Sequence, residues 1–368
     1  MPKRILVTAS SFGHICSFHI PYLKALKDEG FEVDVACGGE MRNIPYADKL
    51  YQVTFEKKIS SPKNFNAESA LEKIIKENSY DLIITHTTLA AFFTRVALGG
   101  INPRPKVVDV MHGYLFDDET NALKKSVYVS AEKSMAKRTD LLLTMNSWDF
   151  NFAINNNLAN KVGFINGMGL DLDKIDATDN SKRSEIREEL NISDDAFLFV
   201  YAAEFSDRKN QSTLIKAMQY TDKNIYLVLP GRGDRIGDCK DLATNLNLRN
   251  RIKFPGQIED MYNLYRACDA AVSSSRSEGL PFNIMEAFRF NLPVVASRVK
   301  GNTDLVEDGV TGLLCKYNDH KEFAHRMNEI YFEDSLAKTV SSNAFTLVEK
   351  YDIKKVLPEV MGQYLSVM

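Results

Sequence analysis

The sequence predicts an α/β protein built from two doubly wound, parallel-sheet domains in tandem. Two observations carry that prediction. First, short apolar runs at 4–9, 32–36, 82–85, 107–111 and 141–145 have strand length, and helical patterns such as 20–29 and 68–77 alternate with them. Second, the alternation restarts, with strand-like runs at 198–202, 226–229, 252–254, 270–273 and 294–296. Between the two series, residues 166–180 (NGMGLDLDKIDATDN) lack periodicity and are rich in Gly, Asp and Asn, as a joint would be. Domains are therefore expected at 1–165 and 170–350.

Composition narrows the function classes. A chain of 368 residues is long enough for two or three domains with substantial cores, and 44% hydrophobic with 26% charged residues is ordinary for a globular protein. A net charge of −3 argues against a nucleic-acid partner. Residues 1–165 carry 20 Lys+Arg against 18 Asp+Glu, and the remainder 26 against 31. That small positive surplus in the first half suits an anionic partner such as a membrane surface. The five cysteines are scattered and form no CxxC pair, so neither zinc nor a disulfide framework is indicated. The apolar run after Lys3-Arg4 stops at Thr8 and reads as a strand, not a signal peptide. Residues 82–98 contain His86, Arg95 and several threonines, which rules them out as a membrane span. Cytoplasmic residence is expected.

Taken in order, the chain places its first chemistry-bearing residues after strands. In open α/β sheets ligands lie beyond the carboxyl ends of the strands. His14 follows the first strand, His86 follows 82–85 and His112 follows 107–111, which points to a pocket. His19, His320 and His325 read as surface residues, the last two too poorly aligned on their helix to share a metal. Ser10-Ser11-Phe12-Gly13-His14 lacks the GxGxxG fingerprint, which counts against a nicotinamide enzyme. Residues 122–138 carry Leu123, Val127, Ala131 and Met135 at a four-residue spacing, flanked by Lys124, Lys125, Lys133, Lys137 and Arg138. Such a basic amphipathic helix either packs on a core or meets a membrane surface.

The second half holds two further stretches. Arg208 and Lys209 lie in a turn after the strand at 198–202, where fixed cations could face a developing negative charge. The most informative stretch is 270–304, which reads strand, loop, helix and strand. Glu278 lies in the loop and Glu286 about two turns inside the helix that starts near Pro281. The N–H groups of Gly279, Leu280, Phe282 and Asn283 lie at or near that helix N-terminus, an anion site that favours phosphate. Carboxylates accept hydrogen bonds from diols, and neither glutamate has an evident cationic neighbour along the chain. A phosphate cradle flanked by two diol acceptors fits a nucleotide sugar. Taken alone, the pair would read as a turn cap and a solvated helix residue.

The surrounding residues tip the balance. Ser277-Glu278-Gly279-Leu280-Pro281, Glu286-Ala287, Pro293-Val294-Val295-Ala296-Ser297 and Asp308-Gly309-Val310-Thr311-Gly312-Leu313-Leu314 resemble the signature of retaining glycosyltransferases of family 4. The resemblance covers nearly the whole chain and implies a GT-B fold, two Rossmann-like domains facing a cleft. The first domain would serve the acceptor, the second would bind the nucleotide sugar, and the terminal helix at 353–368 would pack back on the first. It also implies that Glu278 contacts the donor sugar, Glu286 the ribose, Lys209 the diphosphate, and His112 the sugar from the first domain. Gly13 matches the family's loop near the diphosphate, with one glycine where many members have two. Glu204 stands where many members have arginine, which makes Arg208 the candidate second cation. His14 and His86 are acceptor-side candidates.

The implied reaction moves a hexose-type unit from a nucleoside diphosphate, UDP in most such members, to a hydroxyl with retention at the anomeric carbon. Domain closure would assemble the site. The TASSFGHI and FHIPYLKAL segments resemble bacterial members that build capsule, exopolysaccharide or O-antigen on a lipid carrier, which implies a lipid-linked saccharide acceptor and work at the inner face of the cell membrane. No metal and no other cofactor are expected. Asp171-Leu172-Asp173 is formally the DxD of another glycosyltransferase architecture but lies in the joint, and Gly231-Arg232-Gly233-Asp234 lacks the GK[ST] of a phosphate loop. A UDP-sugar 2-epimerase and a non-catalytic subunit of the same fold are the alternatives.

Overall fold

The computed structural model describes residues 2–40, 42–56, 61–179 and 181–368; Asn180, the end of the expected joint, lies outside them. The chain divides into two compact units, Met1–Gly169 with Lys354–Met368, and Leu170–Ile353.

The first unit holds seven strands: β1 (Arg4–Ala9), β2 (Glu32–Cys37), β3 (Lys49–Gln52), β4 (Leu82–His86), β5 (Lys106–Met111), β6 (Leu141–Thr144) and β7 (Val162–Phe164). Their order is β3-β2-β1-β4-β5-β6-β7, every pair parallel. The second holds six: β8 (Phe197–Val200), β9 (Ile225–Pro230), β10 (Ile252–Gly256), β11 (Ala270–Ser273), β12 (Val294–Ser297) and β13 (Leu313–Cys315). Their order, β10-β9-β8-β11-β12-β13, repeats the same winding, again all parallel. Each sheet reverses direction once, between β1 and β4 and between β8 and β11. Those two points are where a doubly wound sheet opens a crevice at its strand ends.

Helices cover both faces of each sheet, so the central strands are apolar on both sides and read as continuous runs such as LIIT and AAV. In the first unit Leu6, Ile83 and Val107 pack against Leu71 and Ile75 of one helix and Phe93 of another. In the second, Phe199, Leu227, Val272 and Val295 meet Leu214, Ile215, Phe323 and Met327. The edge strands β3, β7 and β13, three or four residues each, escaped the sequence pattern because so short a run shows no period.

One buried polar feature ties the first unit together. Arg95 is fully buried and forms ion pairs with Asp109 of β5 and Glu132, each at 3.0 Å. Asp109 also accepts from the Thr85 hydroxyl of β4 at 2.9 Å. Asp109 and Thr85 stand just before His112 and His86, so this network fixes the strand ends that carry them. The helix Ile353–Leu365 brings Tyr364 to 6.2 Å from the Tyr22 ring of the first unit.

Candidate active site

In the second unit the loops after β8 and β11, neighbours across the sheet's reversal, bring together residues some seventy positions apart. Lys209 Nζ lies 2.5 Å from Glu278 Oε1, and Arg208 Nη1 lies 2.8 Å from Glu278 Oε2. Arg208 also donates to the Ser277 carbonyl at 3.0 Å, and Ser275 Oγ donates to Glu278 Oε1. Glu278 therefore has two cationic partners that the local sequence does not reveal. Burial alone would raise its carboxyl, but Lys209 and Arg208, with hydrogen bonds from Lys209 and Ser275, hold it down at about 2. Burial lowers Lys209 despite its ion pair, while Glu278 raises Arg208 against burial.

Hydroxyls lock the two loops in register. Ser274 Oγ donates to the carbonyls of Lys209 and Asn210 at 3.0 and 2.9 Å. The buried Tyr201 hydroxyl stands 2.7 Å from Ser275 Oγ and 3.1 Å from the Lys209 carbonyl. Below Glu278, Gly301 has φ +81, and a Cβ there would sit 2.7 Å from the Glu278 and Gly279 carbonyl oxygens. Gly301→Ala is expected to displace the Glu278 loop and lower kcat/KM by about 10- to 100-fold. Gly237→Ala, in open space on a helix, should leave it unchanged. Steady-state kinetics on both, with circular dichroism to confirm folding, checks this.

The helix after the loop runs Phe282–Arg289, with no side chain capping its start. Leu280 is buried beside it, and Asn283 Nδ2 donates to the Ala202 carbonyl at 3.2 Å, pinning the first turn to the end of β8. Glu286 is not a solvated residue: the buried Tyr265 hydroxyl donates to its Oε2 at 3.1 Å. Burial raises the Glu286 carboxyl to about 7, the Tyr265 hydrogen bond opposing. A cavity of about 440 Å³ opens nearby, lined among others by Ala202, Ala203, Glu204, Ile258 and Met261. Gly231, at φ +141, forms one wall, because any Cβ there would meet the Ala203 carbonyl oxygen at 2.1 Å. Asp171 of the DxD caps the helix Leu172–Asp176, accepting from the Lys174 N–H at 3.0 Å.

The first unit departs from expectation in two places. Gly13 does not lie in a loop. Ser11 caps a helix, Phe12–Phe18, that puts Gly13 in its first turn, where it is exposed and a Cβ would meet nothing. No steric demand for glycine exists there. His19 is not a surface residue either; it is 1% exposed and stacks on His86 at 3.7 Å between ring centroids. The shift from the helix of His14 to the next, Ile20–Asp28, falls at His19 and turns that ring inward. His14, His19, His86 and His112 thus form one cluster. His112 lies 4.6 Å from His14 between centroids, and its Nε2 is 3.2 Å from His86 Nδ1. Burial lowers all four, His14 to about 4, so the rings are neutral at pH 7. His320 and His325 lie on the outer helix, as expected, with His325 75% exposed.

Comparison with known proteins finds relatives along both halves of the chain. The family model described as glycosyl transferases group 1 matches residues 182–346, and the one described as glycosyl transferase 4-like matches residues 4–146. The chain is 27% identical to the putative glycosyltransferase EpsD of Bacillus subtilis, covering 100% of this chain and 98% of that one. It is 26% identical to the UDP-Gal:alpha-D-GlcNAc-diphosphoundecaprenol alpha-1,3-galactosyltransferase of Escherichia coli, covering 93% and 91%. Among solved structures, Anabaena Alr3699/HepE, in complex with UDP and glucose, superposes with a TM-score of 0.81 at 22% identity over 99% of both chains. One glycosyltransferase model thus matches each half of the chain, group 1 in the second and 4-like in the first, which makes the protein a transferase, and it shares the fold of Anabaena Alr3699/HepE over nearly its full length.

Proposed function

We propose that this transferase moves a hexose-type sugar from UDP to a hydroxyl of a lipid-linked saccharide, with retention at the anomeric carbon, in cell-surface polysaccharide synthesis. The observation that carries the reading is the pairing of Lys209 and Arg208 with Glu278 at the reversal of the second sheet. The carboxylate pairs with both cations and offsets one of their two charges. An arriving diphosphate competes for them as a charge-assisted acceptor and frees Glu278 to accept hydrogen bonds from sugar hydroxyls. As the sugar–phosphate bond breaks, charge develops on the leaving oxygens, where Lys209, Arg208 and the first-turn N–H groups of Phe282–Arg289 supply a fixed positive field. Retention follows if the acceptor attacks from the leaving-group face, the departing phosphate taking its proton. Glu286 would accept the ribose diol, and the cavity beside Ala203 and Ile258 would take the base.

The donor class is supported by the UDP-bound structural relative, and the acceptor class by the E. coli relative's diphosphoundecaprenol substrate. The first unit's strand ends, with His14 and His86, would serve the acceptor. Peripheral membrane contact is supported by the helix Ala122–Met135, where Leu123 and Val127 are 77% and 63% exposed between lysines. No helix among the described residues is long and apolar enough to cross a membrane.

Two measurements test the reading. Full-length protein given UDP-hexoses and a polyprenyl-diphosphate-linked sugar should release UDP and add one hexose to the lipid. Conversion of the UDP-sugar with no acceptor present would favour the epimerase instead. Second, a diol binds the ionised form of Glu286, whose carboxyl titrates near 7. UDP affinity should therefore rise about tenfold from pH 6 to pH 8, and Glu286→Gln should flatten the profile. Calorimetric titration across that range reads both.

A further inference from the structure

We propose that His14, His19 and His112 form a binding site for one divalent transition-metal ion, of the class that prefers imidazole and for which zinc is the natural probe. The site belongs to the first unit alone, so the inference stands apart from the reading of Glu278, Lys209 and Arg208. One ring nitrogen from each of the three lies within 4.8 Å of the other two. These residues come from two segments, the helical turn after β1 and the loop after β5, which converge only in the fold.

Two of the three histidines keep ring nitrogens without a hydrogen-bond partner among the described residues. His19 is 1% exposed, and among the described residues neither its Nδ1 nor its Nε2 has a hydrogen-bond partner; His14 Nε2 is likewise buried and unpartnered there. Burying an unsatisfied polar atom is costly, and a neutral imidazole keeps one bare lone pair, so His14 and His19 can each offer one ligating nitrogen within reach of the other and of His112. Neutral imidazole is the form that ligates. His86, its Nδ1 3.2 Å from His112 Nε2 and its ring stacked on His19, holds both rings in place as outer partners of metal-bound histidines do. His14 and His112 are only partly buried, which leaves the ion a way in. Three imidazoles around zinc, at about 2.0–2.1 Å each, leave a fourth position for water or another oxygen ligand. The two-segment origin explains why sequence spacing signalled no metal.

The test uses full-length protein stripped by a chelator and titrated with zinc against a chromophoric competitor. One equivalent is expected to bind. His14→Gln, a partly exposed position that should fold normally, and His112→Gln are each expected to weaken binding by at least about 100-fold, and His86→Ala by about 10- to 100-fold. Cobalt substituted for zinc should give the visible absorption of a tetrahedral nitrogen and oxygen site, without the thiolate band that binding at the exposed Cys16 would produce. Cys16→Ser should bind as the wild type does. Absence of a stoichiometric site in the wild type, or undiminished binding in His14→Gln with the fold intact by circular dichroism, overturns the proposal.

Discussion

Replacing Lys209 by alanine is expected to lower kcat by about 10²- to 10³-fold, the usual loss when one preorganised contact to a developing negative charge is removed. The side chain is mostly buried and sits 2.5 Å from Glu278, so it is held before the substrate arrives and needs no reorganisation during reaction. The loss should fall on kcat more than on KM, because the leaving oxygens carry more charge in the transition state than in the bound donor. Folding should survive. Glu278 keeps Arg208 and Ser275 as partners, and Tyr201 and Ser274 bind the Lys209 backbone carbonyl, which alanine retains. Glu278→Gln should cost a comparable factor while leaving the loop in place, since the amide can still meet Ser275 but no longer balances two cations. Steady-state kinetics together with thermal unfolding separates these losses from simple misfolding.

The second large effect is structural. Arg95→Met should lower the unfolding free energy of the first unit by about 3–5 kcal/mol, because it leaves Asp109 and Glu132 buried with no cation. Burial already raises Glu132 above the ordinary carboxylate range even with Arg95 beside it. The double change Asp109→Asn with Glu132→Gln on the Arg95→Met background should recover part of the loss, since neutral amides are less costly to bury than carboxylates. Urea unfolding of the single and triple variants, followed by far-ultraviolet circular dichroism, measures both effects.

Much of this architecture could be read along the chain because a doubly wound sheet announces itself locally. ILV at 5–7 and LII at 82–84 are apolar on both faces, and the helices between the strands carry their own period. Glu278 and Glu286 could likewise be singled out, since their loop and helix are contiguous. Their partners could not. Lys209 reaches Glu278 from 69 positions away and Tyr265 reaches Glu286 from 21, and no local pattern encodes a meeting between separate loops. Arg95, Asp109 and Glu132 were hidden for the same reason.

The histidines show both sides of the limit. Three could be placed at strand ends from the βα rhythm alone. His19 differs from the surface position expected of it because its direction depends on a break between two short helices, where its φ of −114° departs from the helical value and carries no sequence signature. Gly13 differs in the opposite way: a glycine after a first strand suggests a loop, but Ser11 caps a helix there and Gly13 falls in its first turn. Gly301 stood in plain view among many glycines, and only the proximity of the Glu278 carbonyl shows why no larger residue fits.

The most direct test of the account is calorimetric titration of UDP into the full-length protein and its Lys209→Ala and Glu286→Gln variants at pH 8. The account predicts saturable one-site binding to the wild type, weakened at least about tenfold in each variant, with the Lys209 contribution fading as salt rises. Wild-type affinity retained in both variants would place the nucleotide elsewhere and contradict it.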